Sequence, residues 1–175
     1  MMSIPKKISY LSKAKKFAQI EYISIIGITE RMGPIGLHVY ADAYLAAARS
    51  LPKPTVPFEP VRPFLICHSI ELSLKAFLSL QGAAMIELAD GSVGHNLESI
   101  LQKTESKNID SFVALTRTHK AEIRNASLYY AGKVFEYPAV GEALSSYPSM
   151  PALDILLEVA TLLVDSLHQP CLNAK

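Results

Sequence analysis

The sequence predicts an all-α fold, an up-and-down bundle of about five helices. Half of the 175 residues are hydrophobic and only 19% are charged, which is typical of a folded domain with a single core. Apolar side chains recur three and four residues apart over several long segments, the spacing of one helix face. Clusters of proline or glycine separate these segments and indicate short connections between helices.

The N-terminal 33 residues differ from the remainder and are predicted to be a basic arm. Lysines are concentrated between residues 6 and 16, and residues 20 to 28 are rich in β-favouring isoleucine. We expect an extended arm or a short strand there, followed by a helical domain over residues 34–175. A solvated arm is one interpretation of the lysines, and contact with RNA, a partner protein or a neighbouring protomer is the other.

The first two predicted helices are separated by a proline-rich connection. Helical periodicity extends over residues 37–51, with Tyr40 among the expected core positions, and prolines between 52 and 60 end it. The next helix is expected to begin between Val61 and Phe64 and to end near Gln81, because Gly82 is a natural C-terminal stop. Its apolar residues cover much of its circumference, which predicts a central, buried helix.

Three further helices are expected toward the C-terminus. Amphipathic spacing predicts a short helix over residues 95–103 and a longer one over residues 109–128. Residues 130–150 contain glycine, proline and paired serines and are predicted to be an irregular loop. The last helix is expected over residues 152–167.

Composition and motifs exclude several function classes. The formal net charge of +1 gives no general argument for nucleic-acid binding. Two cysteines, Cys67 and Cys171, are too few for a disulfide framework. No phosphate-binding glycine loop, nucleophile elbow or zinc-protease motif is present, so neither a cofactor nor a metal is expected. No secretory signal or membrane span is recognised, which predicts a soluble cytoplasmic protein.

Three motifs, in this order, resemble those of the HEPN superfamily of helical domains (higher eukaryotes and prokaryotes nucleotide-binding). They are the segments Ile70–Ala76, Gly94–Leu97 and Tyr130–Pro138, and the resemblance covers about residues 37–168. It implies a helical bundle that frequently forms homodimers. It also implies a toxin–antitoxin, phage-defence or RNA-processing context.

Many HEPN domains are metal-independent ribonucleases, with an Arg, a polar residue and a His four to six positions after the Arg. The resemblance therefore implies catalytic positions at Arg124, Asn125 and Tyr129, where tyrosine stands in place of the histidine. A His acts as acid or base on the 2′-hydroxyl of RNA while the Arg stabilises the phosphate charge. A tyrosine with an ordinary pKa of ~10 is a poor base at neutral pH.

Other Arg and His residues satisfy the spacing rule or lie near it. His68 follows Arg62 by six positions and His38 follows Arg31 by seven, at or close to the motif spacing, but both pairs lie elsewhere in the chain. Arg117 and His119 are too close together for the motif. They are expected to line the same side of a groove as Arg124 and are candidate binding residues.

Four polar residues are expected to have structural roles. Glu71 and Lys75 have the favourable order for an ion pair within one helix. His68 lies one turn before Glu71, which permits a hydrogen bond between them. His95 follows Gly94 at the start of a helix, where its ring is expected to bond backbone groups.

These observations predict a HEPN-like binding or assembly module, homodimeric and without ribonuclease activity. The alternative is a metal-independent endoribonuclease of the toxin or defence type that uses Arg124 and Asn125, with Tyr129 or a histidine such as His119. A regulatory partner of a nucleotidyltransferase is a further alternative, which an adjacent nucleotidyltransferase gene would favour. RNA and a nucleotidyltransferase are therefore the partners considered beside a second copy of the chain.

Overall fold

The computed structural model describes residues 33–55, 59–89, 94–137 and 150–174. This part of the chain contains helices and no strand, and the predicted all-α fold is confirmed. The helices are α1 (Pro34–Ser50), α2 (Val61–Leu80), α3 (Met85–Ala89), α4 (Leu97–Ser106), α5 (Arg117–Ala131) and α6 (Leu153–Leu172), with a 3₁₀ turn at Ile109–Ser111. The predicted N-terminal arm lies outside the described residues.

Helix α2 is the centre of the bundle and packs against α1, α4 and α6. Its residues Ile66, Ile70, Leu74 and Phe77 are all buried, as the broad apolar surface of the sequence predicts. The helix ends where predicted, and Gly82 adopts the left-handed backbone conformation with φ 87°. Because α2 is surrounded on several sides, its polar residues also face other helices.

Helix α1 begins at Pro34, earlier than predicted, because proline is well suited to the first turn. Leu37, Ala41 and Leu45 form its buried stripe. Tyr40, an expected core position, is instead 53% exposed. The step of about 100° per residue turns Tyr40 away from the stripe that faces α2 and α6.

The C-terminal end of α1 is held by a side chain of α2. Arg62 donates from Nη1 to the Ala48 carbonyl at 2.7 Å, and from Nη2 to the carbonyls of Leu51 at 2.9 Å and Pro52 at 2.7 Å. These carbonyls lie at and just beyond the end of a helix, where such groups lack partners within the helix. Arg62 therefore joins the first two helices.

The prediction of a single helix over residues 109–128 is wrong. The chain forms the 3₁₀ turn, then an irregular connection, and begins α5 only at Arg117. Thr116 caps α5: its hydroxyl accepts from the His119 N–H at 3.1 Å, and its own N–H donates to His119 Nδ1 at 3.3 Å. The phenyl ring of Phe112 packs against Phe77, with centroids 5.3 Å apart, and fixes the connection to the core.

Helix α6 is longer at its C-terminal end than predicted. It includes Pro170 in its last turn and buries Cys171. Residues 138–149, part of the predicted irregular loop, lie outside the described residues. Helix α6 packs on α1, α2 and α5 and closes the core.

Among the residues that the structure describes, two helices, α2 and α6, are long and apolar enough to cross a membrane by length and composition alone. Each has 20 residues and a mean hydropathy of 1.3 in its most apolar window, of which 67% is buried in α2 and 39% in α6. Core helices of soluble proteins pass the same test, so this is weak evidence for a membrane span. The cytoplasmic location stays a prediction.

Candidate functional site

The candidate site is a cluster of polar side chains around Glu71, contributed by three parts of the fold. His68, Glu71 and Lys75 occupy successive turns of α2 and therefore share one face. His95 lies in the turn before α4, and Tyr130 lies in the last turn of α5. We call these five residues the Glu71 cluster.

The side chain of Glu71 is only 2% exposed. Both of its carboxylate oxygens accept hydrogen bonds from other side chains. Lys75 Nζ donates to Oε1 at 2.6 Å, at the spacing that predicts such a pair. The Tyr130 hydroxyl donates to Oε2 at 2.6 Å, and His95 Nδ1 lies 2.9 Å from the same oxygen. A buried charge is tolerated only when it is paired and hydrogen-bonded, and Glu71 meets both conditions.

His68 is held by an aromatic enclosure as well as by the cluster. Its ring stacks on Phe64 with centroids 5.7 Å apart, and it meets Tyr44 edge-on at 4.4 Å. His68 Nδ1 lies 2.6 Å from the Tyr130 oxygen and 3.5 Å from Glu71 Oε2. Because the phenol proton goes to Glu71, His68 Nδ1 donates to the phenol oxygen.

His95 is the exposed member of the cluster, with 60% of its side chain accessible. A carboxylate only accepts, so His95 Nδ1 carries the proton of the bond to Glu71. In the neutral form of the ring, the lone pair is then on Nε2. The sequence predicts backbone partners for this ring, whereas the structure pairs it with a buried carboxylate 24 residues earlier.

The cluster lowers the pKa of Glu71 to about 2. Burial by itself raises the pKa of this carboxyl, but hydrogen bonding from His68, the charge and hydrogen bond of Lys75 and the Tyr130 phenol outweigh burial. Burial and the Glu71 charge raise the pKa of Tyr130, and the same two causes raise the pKa of the Cys67 thiol. Glu71 is therefore an anion at all physiological pH values, beside a neutral phenol and a neutral thiol.

This arrangement supports two kinds of chemistry. A buried carboxylate that fixes one nitrogen of an exposed imidazole orients the other nitrogen for proton transfer. A carboxylate with two imidazole nitrogens close by is also a donor set for a divalent metal ion.

The motif residues Arg124, Asn125 and Tyr129 each have partners within the described part of the fold. Arg124 Nη2 donates to Glu105 Oε2 at 3.0 Å, and Asn125 Nδ2 donates to Glu122 Oε1 at 3.2 Å. Tyr129 is 1% exposed, with its ring stacked on Phe135 at 6.0 Å. The side chains of Arg124 and Asn125 are thus paired with neighbouring carboxylates, with Arg124 still 39% exposed, and Tyr129 is part of the core.

The two candidate binding residues Arg117 and His119 have different environments. Arg117 is exposed at the start of α5, whereas His119 is 7% exposed. The ring nitrogens of His119 face the Thr116 N–H at 3.3 Å and Glu158 Oε1 at 3.4 Å. His119 therefore stabilises the start of α5 and its contact with α6.

Tyr130 is the residue of the cluster that sequence reasoning did not assign to a site. Its position at the start of the third HEPN-like motif was the available signal. Only the packing of α5 on α2 brings it to Glu71.

Comparison of the chain with family models, curated proteins and solved structures gave no match. The resemblance to HEPN domains therefore rests on the three sequence motifs. One residue of each motif reaches the same site in the fold, namely Glu71, His95 and Tyr130.

Proposed function

We propose that this chain is a HEPN-like helical binding and assembly module that acts as a homodimer and has no ribonuclease activity. The observation that carries the proposal is the environment of Arg124. Nη2 of its guanidinium donates to Glu105, so a phosphate has to compete with a carboxylate for that nitrogen.

The surroundings of the other motif residues support the same conclusion. Metal-independent cleavage of RNA requires a group that takes a proton from the 2′-hydroxyl. Tyr129, at the position implied for that group, is buried against Phe135. His119, the histidine considered in its place, is held by Thr116 and Glu158. Neither side chain is available to a substrate in solvent.

A cleavage assay tests the proposal. The purified 175-residue chain is incubated with single-stranded RNA in the presence of EDTA, beside Arg124→Ala and Lys103→Ala. Lys103 is the control because it is an exposed basic residue of α4 outside the motif. We expect the RNA to remain intact in all three reactions. Cleavage that requires Arg124 but not Lys103 would overturn the proposal in favour of the endoribonuclease.

Size-exclusion chromatography with light-scattering detection tests the homodimer separately, by measuring the mass of the eluting protein. We expect the mass of two chains at micromolar concentration. A mass of one chain at every concentration would contradict the assembly role. The same protein, mixed with the uncleaved RNA in a mobility-shift assay, tests whether RNA is a partner.

A further inference from the structure

We propose that the Glu71 cluster is a binding site for a divalent transition metal ion of the zinc type, with His68 Nδ1, Glu71 Oε2 and His95 Nδ1 as its ligands. This inference is independent of the proposed function. It rests on geometry, on the chemistry of the donor atoms and on the way the neighbouring side chains hold them.

The spacing of the donor atoms fits a small ion. A tetrahedral zinc with bonds of 2.0–2.1 Å holds its ligand atoms about 3.4 Å apart. Glu71 Oε2 lies 3.5 Å from His68 Nδ1 and 2.9 Å from His95 Nδ1. One ligand atom of each residue lies within 4.8 Å of those of the other two, so the ligands have to close slightly around an ion.

The donor set selects the kind of metal. Two imidazole nitrogens and one carboxylate oxygen suit zinc and its neighbours in the first transition row, whereas magnesium and calcium prefer oxygen ligands alone. Three protein ligands leave a fourth position open, as in catalytic zinc sites. The 60% exposure of the His95 side chain gives the ion and a water molecule a route to the cluster.

Side chains around the ligands already hold them in place, as the outer groups of metal sites do. Lys75 occupies Glu71 Oε1 and leaves Oε2 facing the histidines. Phe64 and Tyr44 fix the ring of His68. Tyr130 donates to Glu71 Oε2, an oxygen with lone pairs for both a proton and an ion.

Metal binding requires a change in the histidines that is directly observable. Without an ion, both Nδ1 atoms carry protons, donated by His95 to Glu71 and by His68 to Tyr130. To ligate an ion, each Nδ1 offers its lone pair and the ring proton moves to Nε2. The protonated nitrogen therefore switches in both rings without a net release of protons.

Titration of the full chain with Zn²⁺ and Co²⁺ tests the site. We expect one ion per chain by calorimetry, with Mg²⁺ at the same concentration giving no signal. His95→Gln is the main variant because His95 is exposed and its replacement leaves the core intact. It is expected to weaken Zn²⁺ binding more than about tenfold. His168→Gln is the matched control, since it removes an exposed histidine of α6 outside the cluster, and wild-type affinity is expected.

A spectroscopic measurement on the wild-type chain keeps the test independent of folding. In ¹⁵N-histidine spectra, the rings of His68 and His95 are expected to move their proton from Nδ1 to Nε2 on addition of Zn²⁺. Equal Zn²⁺ binding by wild type and His95→Gln, or an unchanged Nδ1–H form with Zn²⁺ bound, would overturn the proposal.

Discussion

The phenol of Tyr130 donates a hydrogen bond of 2.6 Å to Oε2 of Glu71 and thereby joins α5 to the central helix α2. The two residues are 59 positions apart in the sequence. The same phenol oxygen receives the proton of His68 Nδ1 at 2.6 Å. One hydroxyl group thus connects two helices and two other members of the Glu71 cluster.

Replacing Tyr130 with phenylalanine is expected to destabilise the fold by about 2 kcal/mol, because a hydrogen bond to a charged group is lost while the ring remains. The measurement is urea unfolding followed by circular dichroism, since the chain has no tryptophan. Tyr40→Phe is the matched control, because Tyr40 is 53% exposed, and less than about 0.5 kcal/mol is expected there. Equal stability of the two variants would show that the Tyr130–Glu71 bond contributes nothing.

Glu71→Gln is expected to lower stability in a pH-dependent way. The pKa of Glu71 falls from 4.5 to about 2 on folding, because Lys75, His68 and Tyr130 outweigh the effect of burial. A carboxyl whose pKa is lower in the folded chain stabilises it above the unfolded pKa and loses that contribution as the pH falls. This pKa change corresponds to about 3 kcal/mol at neutral pH.

Unfolding of wild type and Glu71→Gln between pH 7 and pH 2 measures this contribution. The stability difference is expected to be largest above pH 5 and to shrink from about pH 4.5 toward pH 2. The groups that face Glu71, namely His95, His68 and Lys75, are present in both proteins. The exposed Glu87→Gln serves as control. A difference that does not change with pH would contradict the role of the Glu71 charge.

The sequence predicted the helices whose apolar pattern is continuous and failed where a cap interrupts the pattern. Helix α2 was predicted nearly to the residue, because its apolar residues extend without a break from Val61 to a glycine stop. The helix predicted over residues 109–128 is interrupted because Asn108 adopts a left-handed conformation and Thr116 starts a new helix with His119. A capping box with histidine in place of glutamate is not a pattern that sequence reasoning recognises readily.

The site was predictable only in part, for a related reason. The Glu71–Lys75 pair follows from spacing within one helix. The contacts of Glu71 with His95 and Tyr130 depend on how α4 and α5 pack against α2, and helical periodicity carries no information on that packing. Resemblance to a family singled out both residues by position, but the carboxylate that joins them emerged from the structure.

Arg62 is expected to contribute to stability through the end of α1. Arg62→Ala removes three hydrogen bonds to carbonyl groups and a positive charge at a helix C-terminus, and a loss of about 1–3 kcal/mol is expected. Arg62→Lys retains the charge but not the forked geometry of the guanidinium. Its stability is expected to lie between those of wild type and Arg62→Ala. Thermal unfolding measures the series, with Arg117→Ala as the exposed control. Equal midpoints for Arg62→Ala and Arg117→Ala would contradict the capping role.

The start of α4 is fixed by two side chains that also touch each other. Asn96 Oδ1 accepts from the Ser99 N–H at 2.9 Å and from the Ser127 hydroxyl at 3.2 Å. The Ser127 oxygen in turn accepts from the Glu98 N–H at 3.1 Å, which joins α5 to the first turn of α4. Two otherwise unpaired N–H groups of the helix start are thereby satisfied.

Asn96→Ala is expected to cost about 1 kcal/mol as a lost helix cap, and Asn96→Asp, which keeps an acceptor, is expected to cost less. Asn96 and Ser127 share a hydrogen bond, so each single variant already removes it. The loss of stability in the double variant Asn96→Ala/Ser127→Ala is therefore expected to be smaller than the sum of the two single losses, by about 0.5 kcal/mol or more. Urea unfolding of the four proteins measures this coupling. Strict additivity would mean that α4 is capped by Asn96 alone and that Ser127 acts on Glu98 independently.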